Sequence, residues 1–253
     1  MTAFATYCPA SSLYSWNCFW CNASNVQVIG VIYNSSTDTS GYVGIDKGRN
    51  EIVVAFRGTV KTSITNWITD LTFVLTNPYL SQPTIEVHEG FWVSYRSIED
   101  QFILALRKAM TACPGCTKTV YTGHSLGGAL AAIALMDAVY YYKIGHPSPI
   151  LYTFGQPRTG NPAWATWMQG FSNSTTRVVH DKDIVPHLPP TDFGYHHMAY
   201  EVWMEDGSSV PYVVCNSSGE DQSCSDGEIA ISIPDHLLYL GYQQDEGKNH
   251  GCF

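Results

Sequence analysis

This chain has little positive charge and no long apolar run. Of its 253 residues only 13 are Lys or Arg, against 22 Asp or Glu, and the formal net charge is -9. The basic residues are scattered, so no face is suited to a phosphate backbone and attraction to anionic lipid is weak. Nucleic acid is therefore not an expected partner, and a neutral substrate fits better. No apolar stretch approaches the roughly 20 residues that cross a bilayer, so no transmembrane segment is expected. The N-terminus "MTAFATYCPA" has neither a basic n-region nor an apolar h-region, so a leader is absent and Met1 reads as an added start on a mature domain. No repeat or low-complexity linker divides the chain, and residues 1–253 read as a single α/β domain with a sizeable core. The H-E-x-x-H motif is missing too: His88-Glu89-Gly90-Phe91 fails it, and neither a metal nor a cofactor is expected.

Cysteine, by contrast, is plentiful. Cys18 and Cys21 in "NCFWCN", and Cys113 and Cys116 in "ACPGCT", could in principle bind zinc or do redox chemistry. Zinc would require both pairs to converge, and Cys8, Cys215, Cys224 and Cys252 would still need a reason. Disulfides account for all eight. Sequons at Asn22, Asn34, Asn173 and Asn216 point the same way, to a secreted, extracellular protein.

Segments alternate in type along the chain. "EIVVAF" (51–56), the run before Gly123, "ILYTF" (150–154) and "TTRVVH" (175–180) read as buried strands. Residues 91–110 place Phe91, Tyr95, Ile98, Phe102, Leu106 and Met110 at helical spacing. A further helix runs to about Lys143, with a stop at Gly145 and Pro147 and Pro149 behind it. Asn161-Pro162 reads as an N-cap with proline at the first helical position. Strands interleaved with helices imply a mainly parallel sheet covered on both faces, with active groups at the carboxyl ends of its strands.

Between strand and helix stands Gly123-His124-Ser125-Leu126-Gly127. Strand, abrupt corner and small-residue helix are the setting of a nucleophile elbow, where glycines two before and two after the serine relieve crowding. His124, adjacent along a strand-like corner, should point away from Ser125 and is not taken as its base. A serine nucleophile needs a histidine to take its proton and an acid to orient that histidine, in the chain order Ser, acid, His. Asp181 and Asp183 directly follow the strand "RVVH". The apolar "IVP" after Asp183 would wall that carboxylate off from water, so Asp183 is favoured. Among His187, His196, His197, His236 and His250, "SIPDH" offers a turn-forming proline before an apolar run that can dock. His236 is favoured.

The blocks "FRGT", "NWITDLTF", "VHEGF", "TGHSLGG", "LYTFGQPRTGNPAW", "DIVPHLPP", "FGYHH" and "IPDHLLYLG" resemble the fungal class 3 lipases of the Rhizomucor miehei type, in order from about Tyr7 to Cys252. The resemblance implies an α/β-hydrolase fold with Ser125, Asp183 and His236 as triad. It implies oxyanion donors at the Leu126 N–H and at Thr59, where many of these lipases carry serine and the related feruloyl esterases carry threonine. It also implies the bridges Cys8–Cys252, Cys18–Cys21 and Cys215–Cys224, to which we add a local Cys113–Cys116 bridge, and suggests that the family's N-terminal helix before "TYC" is missing.

In residues 62–71, Ile64, Trp67, Ile68 and Leu71 form one apolar stripe, opposite Thr65, Asn66, Thr69 and Asp70. The bland reading is a surface helix packed on the core. The functional one is a lid over an acyl groove, and in the resemblance Trp67 falls on the lid tryptophan; Tyr7 is counted with these groove residues. The expectation is a monomeric triacylglycerol lipase acting on neutral lipid ester at a lipid–water interface. A soluble carboxylesterase such as a feruloyl esterase is the alternative, and a non-enzymatic lipid binder would require a broken triad.

Overall fold

The structure is a computed structural model that describes residues 2–252 other than 147–148, 173, 209 and 230. Met1, Pro147 and the Asn173 sequon, all used in reading the sequence, lie outside the described residues. After two short helices, α1 (Thr2–Ala5) and α2 (Ala10–Ser15), the chain enters the sheet with β1 (Val26–Asn34), β2 (Thr39–Asp46) and β3 (Glu51–Phe56). These three pair antiparallel. Helix α3 (Lys61–Asp70), the small ladder of β4 (Leu75–Thr76) with β5 (Val87–His88), and helices α4 (Glu89–Arg96) and α5 (Glu99–Ala112) follow. Then come β6 (Lys118–His124), α6 (Leu126–Met136), β7 (Ile150–Phe154), α7 (Pro162–Gln169), β8 (Ser174–His180), β9 (Glu201–Met204) and β10 (Val213–Val214). The eight-stranded sheet runs β1-β2-β3-β6-β7-β8-β9-β10, parallel from β3 through β9. A four-residue helix α8 (Ile233–His236) and the hairpin of β11 (Leu238–Tyr239) and β12 (Tyr242–Gln243) close the chain.

Alternation along β3 divides the core in two. Ile52, Val54 and Phe56 face the cluster built with Phe91, Tyr95, Phe102, Leu106, Leu130 and Ile133 from α4, α5 and α6. Val53 and Ala55 face the opposite cluster, with Phe4, Tyr7, Leu13, Trp20 and Tyr239. Helix α6 is buried from Gly127 to Met136, which explains its nearly uniform apolar sequence. Asn161 caps α7 as expected, its side chain accepting from Trp164 N, with Pro162 in the first turn.

The apolar period over residues 91–110 belongs to two helices rather than one. Backbone helicity breaks at Ser97 and Ile98, the latter at φ -126° and ψ 0°. Arg96 ends α4 while Glu99 and Asp100 open α5, a charge order that suits a C-terminus followed by a new N-terminus. The apolar stripe continues across the break because both helices face the same core. Bridges join Cys8 to Cys252, Cys18 to Cys21, Cys113 to Cys116 and Cys215 to Cys224. Among the described residues no helix is long and apolar enough to cross a membrane.

Candidate active site

Ser125 occupies the corner between β6 and α6 at φ 59° and ψ -134°. A side chain in such a sparsely populated region costs about 1–3 kcal/mol and persists only where the surroundings enforce it. Here they do. A Cβ on Gly123 would lie 2.1 Å from the Gly127 carbonyl oxygen, and one on Gly127 would lie 2.2 Å from that of Phe56. The corner is held by Ser125 N donating to Phe154 O at 2.9 Å, and by Gly128 N donating to Ser125 O at 2.9 Å.

Asp183 follows β8. His236 Nδ1 lies 2.9 Å from both of its carboxylate oxygens, the Tyr239 hydroxyl donates to Oδ2 at 2.5 Å, and Val185 N donates to Oδ1 at 2.8 Å. Asp183, His236 and Ser125 are all 0 % exposed. Burial alone would push the Asp183 carboxyl up, but the His236, Tyr239 and Val185 donors together hold it below the ordinary value. Burial, reinforced by the Asp183 charge, drives the Tyr239 hydroxyl well above its ordinary range, so it stays a donor. Asp181, the competing acid, is only half-buried and accepts from Asp206 N at 3.3 Å instead.

With Nδ1 committed to the carboxylate, His236 keeps its Nε2 lone pair free. That atom and Ser125 Oγ are both buried, and among the described residues neither has a hydrogen-bond partner. Gly155, at φ +56°, packs against the pair: a Cβ there would lie 2.6 Å from Asp183 Oδ2 and 2.9 Å from His236 Nδ1. Neither Tyr239 nor Gly155 was singled out from sequence. The only signal was their place inside "YTFGQP" and "IPDHLLYLG".

Thr59 and Leu126 line a cavity of about 420 Å³, together with Ser63, Trp67, Asp70 and Leu71 of α3 and its C-terminal flank. Leu126 opens α6, so its N–H belongs to the helix's first turn, where backbone donors lack intrahelical partners and favour negative charge. On α3, Ile64 is buried and Trp67, Ile68 and Leu71 are half-buried, while Thr65, Asn66, Thr69 and Asp70 are exposed. The Trp67 ring lies 6.3 Å from that of Phe91 at an interplanar angle of 15°. Phe91 in turn stacks on His88 at 4.0 Å. Burial pushes His88 down to about 4, so its ring is neutral, donating from Nε2 to Thr72 O and accepting from Phe91 N at Nδ1. Thr72 lies just beyond α3, and His88 thereby ties that end of the helix to the frame.

Tyr7, expected among the groove residues, is fully buried, with its ring in the apolar cluster on the far face of the sheet; its hydroxyl meets His124 Nδ1 at 2.8 Å and lies beside Gly58, which lines the cavity. Glu201, Cys215 and Cys224 lie close enough together to suggest a metal site, but the two sulfurs are joined to each other.

The model of the family described as Lipase (class 3) matches residues 53–193, from β3 past Ser125 and Asp183. The lipase of Rhizomucor miehei is 36 % identical over 90 % of this chain, and the secreted mono- and diacylglycerol lipase 1 of Fusarium solani is 34 % identical over 88 %. This chain spans 62 % and 66 % of those relatives' lengths. A triacylglycerol lipase whose catalytic centre is described as a serine protease triad superposes with a TM-score of 0.87 at 34 % identity, over 97 % of this chain and 93 % of its own. The sheet with its strained serine corner is the α/β-hydrolase fold, and the chain belongs to the class 3 lipase family.

Proposed function

We propose that this protein is a secreted carboxylic ester hydrolase that cleaves acylglycerol esters, with triacylglycerol as substrate, through a Ser125–His236–Asp183 triad. One observation carries the reading. A buried His236 is fixed by a buried carboxylate with its Nε2 uncommitted, and the strained Ser125 of the elbow carries an equally uncommitted Oγ. In this mechanism Ser125 Oγ attacks the acyl carbonyl carbon while His236 Nε2 takes its proton. The carbonyl oxygen, now an oxyanion, meets the Leu126 N–H and the Thr59 donors. Each such donor typically contributes about 3–4 kcal/mol to the transition state. His236 then protonates the departing glycerol oxygen, leaving an acyl-serine. Water attacks that ester with His236 again as base, releasing the fatty acid and restoring Ser125.

Helix α3 serves as the lid. The triad has no solvent exposure, and Trp67 and Leu71 of the apolar stripe line the cavity that holds Thr59 and Leu126. In this reading α3 moves aside to admit substrate, and a lipid surface offsets the cost of exposing its apolar stripe. The four disulfides and the resemblance to a relative named as secreted support an extracellular setting.

Thr59 favours a second reading, a soluble esterase of the same chemistry. An active-site phosphonate and a substrate panel test both. Stoichiometric labelling at Ser125, loss of turnover in Ser125→Ala and preference for emulsified triacylglycerol over methyl ferulate are expected. Labelling elsewhere would refute the triad, and preference for methyl ferulate would select the second reading.

A further inference from the structure

His124 precedes the nucleophile yet points away from it, and it has no place in the chemistry above. It is 1 % exposed and enclosed by aromatic rings: Phe4 at 5.2 Å, Tyr7 at 6.0 Å, Tyr239 at 5.5 Å and the His236 imidazole at 4.6 Å, inclined by only 27°. Its Nε2 lies 2.7 Å from the backbone carbonyl oxygen of His236, and its Nδ1 lies 2.8 Å from the Tyr7 hydroxyl. A carbonyl can only accept, so Nε2 carries the hydrogen. Nδ1 of the neutral ring then has a lone pair, and the Tyr7 O–H must donate to it. Burial keeps the ring neutral by pushing its pKa down to about 3, with the neighbouring His236 adding to the effect.

Among the described residues no other donor reaches the carbonyl that His124 holds. His236 is the last residue of the four-residue helix α8, and helix C-terminal carbonyls have no intrahelical donor. His124 therefore links the strand that carries the nucleophile directly to the main chain of the base. The opposite side of the base is held by Asp183, itself held by Tyr239.

We infer that His124 is a positioning residue: with its tautomer set by the His236 carbonyl and its Nδ1 anchored by the Tyr7 hydroxyl, it fixes the main chain and ring plane of His236 relative to Ser125. The inference rests on the triad reading above. Without the link, His236 keeps its carboxylate but loses the contact that aligns Nε2 with the serine. A displacement of about 1 Å in such a pair costs on the order of 100-fold in rate.

The test compares His124→Gln with His124→Phe on a soluble short-chain ester. Glutamine offers one acceptor and one donor at similar reach, whereas phenylalanine keeps a ring and loses both. The expected result for His124→Phe is a kcat lower by about 100-fold with KM within about twofold, and for His124→Gln a kcat within about fivefold of wild type. The low-field proton resonance of His236 Nδ1–H should be sharp in wild type and Gln and broadened in Phe. If the Phe variant does not fold, Tyr7→Phe decides, since it keeps the ring and removes the hydroxyl that anchors His124 Nδ1. A kcat drop near tenfold at constant KM supports the inference, and an unchanged kcat overturns it. Wild-type kcat in His124→Phe, or equal losses in Gln and Phe, also overturns it. Phosphonate labelling of wild type separates the two failures: an unlabelled Ser125 refutes the triad itself, whereas a labelled Ser125 with indifferent variants refutes only the role of His124.

Discussion

Replacing Tyr239 by Phe removes one oxygen atom from the support of the buried carboxylate. In the native protein that hydroxyl donates to Asp183 Oδ2 at 2.5 Å and receives His180 N at 3.3 Å, and the residue is 1 % exposed. A hydrogen bond to a charged group contributes about 1.5–3 kcal/mol, and the phenyl ring preserves the packing, so the loss should fall in that range. For a chain of this size each kcal/mol lowers Tm by about 2–4 °C, which predicts a fall of roughly 3–12 °C at pH 7. The pH dependence follows from the native carboxyl's depressed pKa. A group of this kind stabilises the fold above its unfolded value, near about 3.9, and that contribution is lost as pH falls through the lower native value. The Tm difference between wild type and Tyr239→Phe should therefore be full at neutral pH and shrink below about pH 4. Calorimetry from pH 7 to 3 measures it. A difference that stays constant over that range, or one under 1 °C at pH 7, would refute the claim that this hydroxyl stabilises the ionised acid.

Three further outcomes are expected. Gly155→Ala must strain a left-handed backbone and push a methyl to within 2.6 Å of Asp183 Oδ2, so kcat should fall on the order of 100-fold; wild-type turnover in this variant would show that the pair tolerates displacement. Removing the Cys8–Cys252 bridge, whose ends are 244 residues apart, should cost about 2–5 kcal/mol in urea unfolding, and a change below about 1 kcal/mol would count against a restricted unfolded chain. Trp67→Ser removes a half-buried ring whose transfer is worth roughly 2–3 kcal/mol, and it should flatten the rise in rate as a short-chain triacylglycerol passes its solubility limit while sparing a soluble ester. A steep rise retained in that variant would separate Trp67 from interfacial opening.

Much of the central sheet is legible in the sequence because its parallel strands are apolar on both faces and so read as short continuous runs, even where β7 leaves Tyr152 exposed. "EIVVAF" and "ILYTF" coincide with β3 and β7. The antiparallel strands β1 and β2 are less legible. β1 carries half-buried and exposed positions without regular alternation, and β2 is interrupted by Gly41 and Gly44, so neither has the pattern of a core strand. The break at Ser97 and Ile98 escapes notice for a different reason: helical period reports which face is apolar and is blind to an interruption that leaves the face unchanged.

The site divides along the same line. Ser125 can be found from sequence because local backbone strain needs local glycines, and the dry surroundings of Asp183 are hinted at by the "IVP" beside it. What holds these residues in place is not local. Tyr239 reaches Asp183 across 56 residues, Tyr7 reaches His124 across 117, and His124 reaches the His236 carbonyl across 112. No period or spacing encodes such contacts, since they depend on how the N-terminal segment, the ends of β6 and β8 and the chain's C-terminal turn meet over the sheet. This explains why His124 reads from sequence as a residue with nothing to do. Its adjacency to Ser125 excludes it as base for that serine, and only the folded chain brings a second histidine, far away in sequence, against its free face. The strain at the elbow and the neutrality of His124 then serve one arrangement. The corner fixes where the serine stands, and the residue just before it fixes where the base must be.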